Sequence, residues 1–394
     1  MSASTEKKLR QAAREAGTDK KANALKEETE KKAKEKLKWT IGIIVGVAAV
    51  ALILLLSALK SPARYVDKAA LTVGDKSYTT AEVNYSYGTQ YSNFVNSYGS
   101  YASIFGLNTK YGINGLESQP CSMMEEGGSW KDYFMESAVE ALKQRTVLGK
   151  YAEENGIELT EEDLSEIDEA YAGLDETAKG YGYSDANAFL STNYGLGVNK
   201  EVSKAMDLES ALAQKAINAY SETVDISNAE IEERYPSVNI RHILVKAEAD
   251  ESGVYTDEAK EAAKAKAEEI YEEWKAGDAT EDSFAALAEK YSEDEGSNTN
   301  GGLYENVLQG QMVEEFDAFC FEDGRKAGDT GVVYGESAAY AGYHVMYFSG
   351  KGDPANNETG RQNLLSEKCA EWLEELASAV EVTYEDAYKF VGKN

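Results

Sequence analysis

The spacing of apolar and polar positions changes several times along the chain, and each change predicts an element. From Trp39 to Leu59 the run WTIGIIVGVAAVALILLLSAL holds no charge over 21 residues. At about 1.5 Å per residue such a helix is roughly 30 Å long, the thickness of a bilayer core, so the pattern predicts a transmembrane helix. Ala69 to Thr79 reads as a small hairpin with Gly74-Asp75 at its turn. Thr79 followed by Glu82 is a capping box that starts a helix, and along it Tyr85, Tyr91, Phe94, Tyr98, Tyr101 and Phe105 recur near helical spacing.

Further helices follow from the same period. Phe134, Ala138, Ala141, Leu142, Leu148 and Ala152 mark one amphipathic face, and Thr160 flanked by Leu159 and Leu164 caps and staples the next helix. Val202, Ala205, Met206, Leu212, Ala213, Ala216 and Tyr220 mark a longer one. Ser227 with Glu230, and Ile226 facing Ile231, start a short helix that Pro236 ends. Beyond it the period turns strand-like in RHILV at 241–245 and in GYHVMYF at 342–348. GKGDP at 350–354 is a turn-rich exit. Leu365, Cys369, Trp372, Leu373 and Leu376 then form a helical stripe that needs a partner, which the helices before Pro236 supply, and a strand is expected at Val380 to Tyr384.

Composition adds an address and some exclusions. At 394 residues with 42% apolar content the chain can hold two or three domains with real cores. The net charge of −30 is uneven: residues 1–38 carry twelve basic against seven acidic side chains, and the chain beyond Lys60 carries −36. An acidic body of that size is repelled by phosphate backbones, so nucleic acid is not an expected partner. Eight basic residues lie at 19–38 against four at 60–79, which by the positive-inside rule leaves the N-terminus in the cytoplasm and the body outside a cell membrane crossed once. The span is longer than the apolar region of a cleaved signal, about 7 to 15 residues, and follows a charged leader, so an uncleaved anchor is expected. Gly42 and Gly46 make a GxxxG pair in the span, a pattern compatible with a homodimer. Cys121, Cys320 and Cys369 form no CxxC pair and no zinc-like spacing, so free thiols and no metal are expected. The DEGSNTNGG loop at 294–302 lacks EF-hand spacing and its terminal Glu, which excludes calcium on that pattern.

The chain has two histidines, His242 and His344, one in each strand-like run. Between them stand Tyr-Ser-acid-acid at 291–294, Gly-Gly-Leu at 301–303 and Gly-Gln-Met-x-x-x-Phe at 310–316. This order resembles a parvulin-type peptidyl-prolyl cis-trans isomerase domain. The remainder more loosely resembles membrane-anchored extracytoplasmic foldases of the PrsA/SurA kind. The resemblance implies an α+β chain: a charged tail at 1–38, a transmembrane helix at 39–59 and a mostly helical chaperone-like module at 66–235. A parvulin-like domain with a small antiparallel sheet flanked by helices is then inserted at 236–350, and a C-terminal helix and strand at 355–394 return to the module. It also implies clients, namely unfolded or partly folded secreted proteins and Xaa-Pro peptides, and no cofactor. The aromatic series from Tyr85 to Phe105 is then either core or an adaptable surface for such clients.

Carried over residue by residue, the resemblance makes His242 and His344 the paired imidazoles and puts Asp294 beside the imide carbonyl. Met312 and Phe316 become walls of the proline pocket, with Leu303 the third wall. Gly302-Leu303-Tyr304, Val313 and Ala341 depart from the common pattern. Two functions follow: an isomerase joined to a chaperone, or a non-catalytic holdase that keeps the domain as a peptide-binding module. The loop 245–260 carries five acidic residues and only Lys246 near the histidine, so no preference for phosphorylated substrates is expected.

Overall fold

The computed structural model describes residues 2–125, 127–337 and 339–393. In chain order its elements are α1 (Ala3–Lys60), β1 (Ala69–Val73), β2 (Lys76–Thr79), α2 (Thr80–Tyr98), α3 (Trp130–Glu154), α4 (Glu161–Ala172), α5 (Leu174–Gly180), α6 (Ala186–Tyr194) and α7 (Lys200–Ser221). They continue with α8 (Asn228–Arg234), β3 (Ser237–Lys246), α9 (Asp257–Ala276), α10 (Glu281–Tyr291), β4 (Leu303–Leu308), α11 (Glu314–Cys320), β5 (Thr330–Glu336), β6 (Ala341–Lys351), α12 (Glu358–Ser378) and β7 (Val382–Tyr384). This is an α+β chain, mostly helical, with two small antiparallel sheets. It forms two compact units, residues 1–146, 160–209 and 381–394 in the first and 147–159 and 210–380 in the second.

In the first unit α1 runs unbroken from Ala3 to Lys60, and Lys34–Ile53 within it is long and apolar enough to cross a membrane. The hairpin forms as its sequence predicts, with Gly74 at φ 60°, and β1 also pairs antiparallel with β7, giving the order β2-β1-β7. Capping boxes at Thr79–Glu82 and Thr160–Asp163 start α2 and α4. The aromatic series divides. Tyr85, Tyr91 and Phe94 are buried, and Phe94 meets Trp130 and Phe134 at ring separations of 5.0 and 5.7 Å. α2 ends at Gly99 (φ 52°); Tyr98 in its last turn and Tyr101 beyond it are 38% and 68% exposed, while Phe105 is half-buried with its ring 6.0 Å from Phe94. The row is core through Phe94, and beyond it Tyr98 and Phe105 still pack on Phe94 while Tyr101 is exposed.

In the second unit the sheet runs β4-β3-β6-β5, every pair antiparallel. Alternation along β3 sends Ile243 and Val245 to one face, where Ala263, Ala267, Ile270 and Trp274 of α9 and Phe284 and Ala288 of α10 cover them. Val238 and Ile240 face the other way, onto Phe316, Phe319 and Cys320 of α11 and onto Met346 and Phe348 of β6. Ser227 and Glu230 form the expected capping box of α8. The stripe of α12 finds its partners where the sequence pointed: Trp372 stacks on Tyr220 at 3.8 Å and 5°, beside Tyr151, Leu148 and Ala152. Cys121 and Cys320 are buried, Cys369 is half-buried, and all three are free.

Candidate active site

The site lies on the face of the second sheet that carries α11. Register pairs His242 with Met346 and His344 with Leu244, so the two histidines are diagonal neighbours on adjacent strands and point to the same face. Their Nδ1 atoms are 2.9 Å apart and their rings are nearly parallel, 21° between planes. Each residue is only 3% exposed. His242 Nε2 lies 2.9 Å from Asp294 Oδ2 and 3.1 Å from Ser297 Oγ. The Ser297 hydroxyl also donates to Asp294 Oδ2, and the Tyr304 hydroxyl donates to the same oxygen at 3.0 Å. At the other end the Tyr340 hydroxyl is 2.9 Å from His344 Nε2.

The loop that delivers Asp294 is held from behind the sheet. Arg241, on the opposite face of β3 from His242, pairs with Glu281 at 2.9 Å and donates to the carbonyls of Asn300 and Gly301 at 3.0 and 2.9 Å. Gly302 (φ 71°) sits where a Cβ would meet the His242 carbonyl oxygen at 2.2 Å, so only glycine lets loop and strand approach this closely. The His242 amide donates to the Gly302 carbonyl at 2.9 Å, which fixes the contact.

Charge and burial set the protonation of the site. Hydrogen bonds, first from His242 and then from Ser297, hold the Asp294 carboxyl well below the usual carboxylate range against the cost of its burial. Burial, and then the neighbouring His242, pushes His344 down to about 3, so it stays neutral near pH 7. Burial and the Asp294 charge push the Tyr304 hydroxyl up, and burial with Asp294 and Glu315 does the same to Tyr340.

The apolar wall comes from α11 and the turn before it. Phe316, 2% exposed, stands edge-on to both imidazoles at 5.3 and 5.4 Å. Met312 and Val313 are half-buried against the same cluster. Leu303 is not part of it. Register sets Leu303 opposite Arg241, on the face that bears α10, and sets Tyr304 opposite Ile240, on the histidine face. Of the two, Tyr304 is the one that packs against this cluster. Ser297, Tyr304 and Tyr340 complete the network without a site motif in the sequence: the first and last sit in loops without periodicity, and Tyr304 stands next to Leu303 in a stretch that departs from the common pattern. Among the described residues no cluster of His, Cys, Asp and Glu is arranged to hold a metal ion.

Residues 226–351 match the model of the PPIC-type PPIase domain, the parvulin rotamases. The chain is 29% identical over 183 residues to a foldase protein PrsA of Bacillus cereus, covering 46% of this chain and 54% of the relative. It is 32% identical over 148 residues to the chaperone SurA of Chromohalobacter salexigens, covering 35% of this chain and 30% of the relative. The chain spans about half the length, or less, of the curated relatives it matches. A solved structure of PrsA from Streptococcus pneumoniae aligns with 65% of this chain and 90% of its own, at 19% identity and a TM-score of 0.32.

Proposed function

We propose that this chain, which carries a peptidyl-prolyl isomerase domain of the parvulin type, is a membrane-anchored extracytoplasmic foldase that catalyses cis-trans isomerisation of Xaa-Pro bonds in secreted proteins. The observation that carries the reading is one assembled constellation: two imidazoles joined at 2.9 Å, a carboxylate on one of them, and Phe316 edge-on to both.

The chemistry needs no covalent step. Rotation about an Xaa-Pro imide faces a barrier of about 20 kcal/mol and takes tens to hundreds of seconds unaided, so a catalyst must bind the twisted amide better than the planar one. The planar form is stabilised by resonance that places negative charge on the carbonyl oxygen. A proline ring held against Phe316 and Met312 brings that imide out of water and toward the Asp294 carboxylate. There the charge-separated planar form loses part of its advantage, and the twisted form gains relative to it. His242, Ser297 and Tyr304 hold the carboxylate in place, and the neutral His344 completes the support. The functional division on this reading is 236–350 for the isomerase and 66–235 with 355–394 for the chaperone-like module; it does not follow the two compact units, since 147–159, 210–235 and 355–380 lie with the isomerase sheet in the second. Turnover of short Xaa-Pro peptides by the full chain tests it.

The anchor reading rests on the apolar span within α1 and on the basic residues before it. Protease added to intact cells digests the body beyond Ser61 on this reading, and a protected body with a cut tail reverses the topology. A holding function beside catalysis is supported by the exposed Tyr98, Tyr101, Ile104 and Tyr111 of the first unit, which offer apolar area to unfolded chains. Suppression of client aggregation that survives loss of isomerase activity tests that part.

A further inference from the structure

The hydrogen bonds of the site run in one direction when their protons are counted. With two neutral imidazoles beside an ionised Asp294, the ring nitrogen that faces the carboxylate, His242 Nε2 at 2.9 Å from Asp294 Oδ2, is the one that carries a proton. His242 Nδ1 is then an acceptor, and the 2.9 Å link between the Nδ1 atoms requires a proton on His344 Nδ1. That leaves His344 Nε2 as an acceptor. The group in front of it is the Tyr340 hydroxyl at 2.9 Å, which must donate. Every imidazole nitrogen is engaged, and both histidines are buried. Asp294 Oδ2 is engaged by His242, Ser297 and Tyr304, and its Oδ1 accepts from the Gly296 amide at 3.3 Å.

The polar residues of this network that are only half-buried are Asp294, Tyr304 and Tyr340. Tyr340 alone reaches the histidine pair from the end remote from the carboxylate. Its ring also stands edge-on to His344 at 5.7 Å. The approach depends on Gly335 of β5, where a Cβ would come within 2.8 Å of His344 Nε2.

We propose that Tyr340 is a positioning residue of the isomerase site: by donating to His344 Nε2 it locks the histidine pair in opposite tautomers, Nε2–H on His242 and Nδ1–H on His344. The proposal rests on the isomerase reading for its consequence in catalysis, but not for the tautomers themselves. With its proton committed inward, the Tyr340 oxygen meets the pocket as an acceptor only. The imidazoles themselves offer the substrate no free donor. Tyr340 thus acts through His344 and His242 on the carboxylate that faces the imide.

The chain contains two histidines, so the full protein in detergent micelles, labelled with ¹⁵N in histidine, shows two imidazoles and no others. At pH 8 the expected spectrum has one ring protonated on Nδ1 and one on Nε2. In Tyr340→Phe, which keeps the ring and removes the hydroxyl, the Nδ1–H ring should shift toward averaged tautomers. kcat/KM on an Xaa-Pro peptide should fall about 3- to 10-fold, the effect of one neutral hydrogen bond, and the loss should be in kcat rather than KM. Two Nε2–H rings in the wild-type spectrum, or a Tyr340→Phe spectrum identical to wild type, overturn the proposal, and the wild-type spectrum decides even if the variant folds poorly. A wild-type chain that is inactive on all Xaa-Pro peptides while its rings show opposite tautomers overturns the isomerase reading and leaves the positioning role standing.

Discussion

His242 and His344 meet Nδ1 to Nδ1 at 2.9 Å although the strand register places neither opposite the other. A diagonal contact of this kind holds only while β3 and β6 keep their register, since a slip by one residue would turn one ring to the α9 and α10 side of the sheet. The long pairing from Val238–Lys351 to Lys246–Gly342 is what fixes it.

Asp294→Asn tests the carboxylate. The amide keeps the shape but removes the charge that His242, Ser297 and Tyr304 all address. The expected result is a loss of about 1–3 kcal/mol in stability and a fall in kcat/KM of at least about 10-fold, read by urea unfolding and a peptide assay. Unchanged turnover would reduce Asp294 to a loop residue.

Acid should weaken the second unit before any carboxylate titrates. His344 has an ordinary value of 6.5 and is pushed down to about 3 in the fold, so the unfolded chain binds the extra proton across that window. The sign follows: stability is full above pH 6.5 and falls as pH drops toward 3, at up to about 1.4 kcal/mol per pH unit. Asp294, held low, adds its own loss only below its ordinary 3.8. Urea midpoints between pH 7.5 and 5 isolate the histidine effect because the chain has only two. A flat profile there contradicts a buried neutral His344.

Two glycines near the histidines should respond differently to alanine. At Gly302 the added Cβ meets backbone at 2.2 Å and φ is 71°, so Gly302→Ala should cost about 2–4 kcal/mol and loosen the Asp294 loop. At Gly335 the obstacle is the His344 ring at 2.8 Å, so Gly335→Ala should cost about 1–3 kcal/mol and lower activity through the displaced ring. Unfolding curves with activity on the same samples separate the two. A Gly335→Ala enzyme with wild-type activity argues against close support of His344.

The pocket wall can be graded by burial. Phe316, 2% exposed, should lose about 3–5 kcal/mol on truncation to alanine, whereas half-buried Met312 should lose less. Both should lower kcat/KM in the fraction that remains folded, measured by activity per folded molecule. Activity that simply follows the folded fraction would make these residues core and nothing more.

The sequence made His242, His344, Asp294, Met312 and Phe316 legible because each sits in a short motif whose spacing survives without knowledge of the sheet. The structure brings these five together. Leu303 and Tyr304 show where such reading stops. The pairing of β3 with β4 shifts between Val238 and Ile240, and one residue of register decides which of two adjacent side chains faces the site. Ser297 and Tyr340 lie outside any periodic run, and only tertiary contact reveals them. Helices were easier, because capping boxes at Thr79, Thr160 and Ser227 mark their starts locally. The aromatic series was ambiguous for a physical reason: its spacing stays helical past Tyr98, while Gly99 ends the helix.

The central claim is that this site isomerises Xaa-Pro bonds, and the most direct measurement is the cis-to-trans rate of short Xaa-Pro peptides with the purified full chain, followed by exchange spectroscopy that needs no coupled protease. The expected result is acceleration proportional to enzyme concentration, reduced in Asp294→Asn and no greater when the residue before proline is phosphoserine or phosphothreonine. A folded chain that leaves the uncatalysed rate unchanged for every peptide, while still suppressing client aggregation, would contradict the account and leave a holdase in its place.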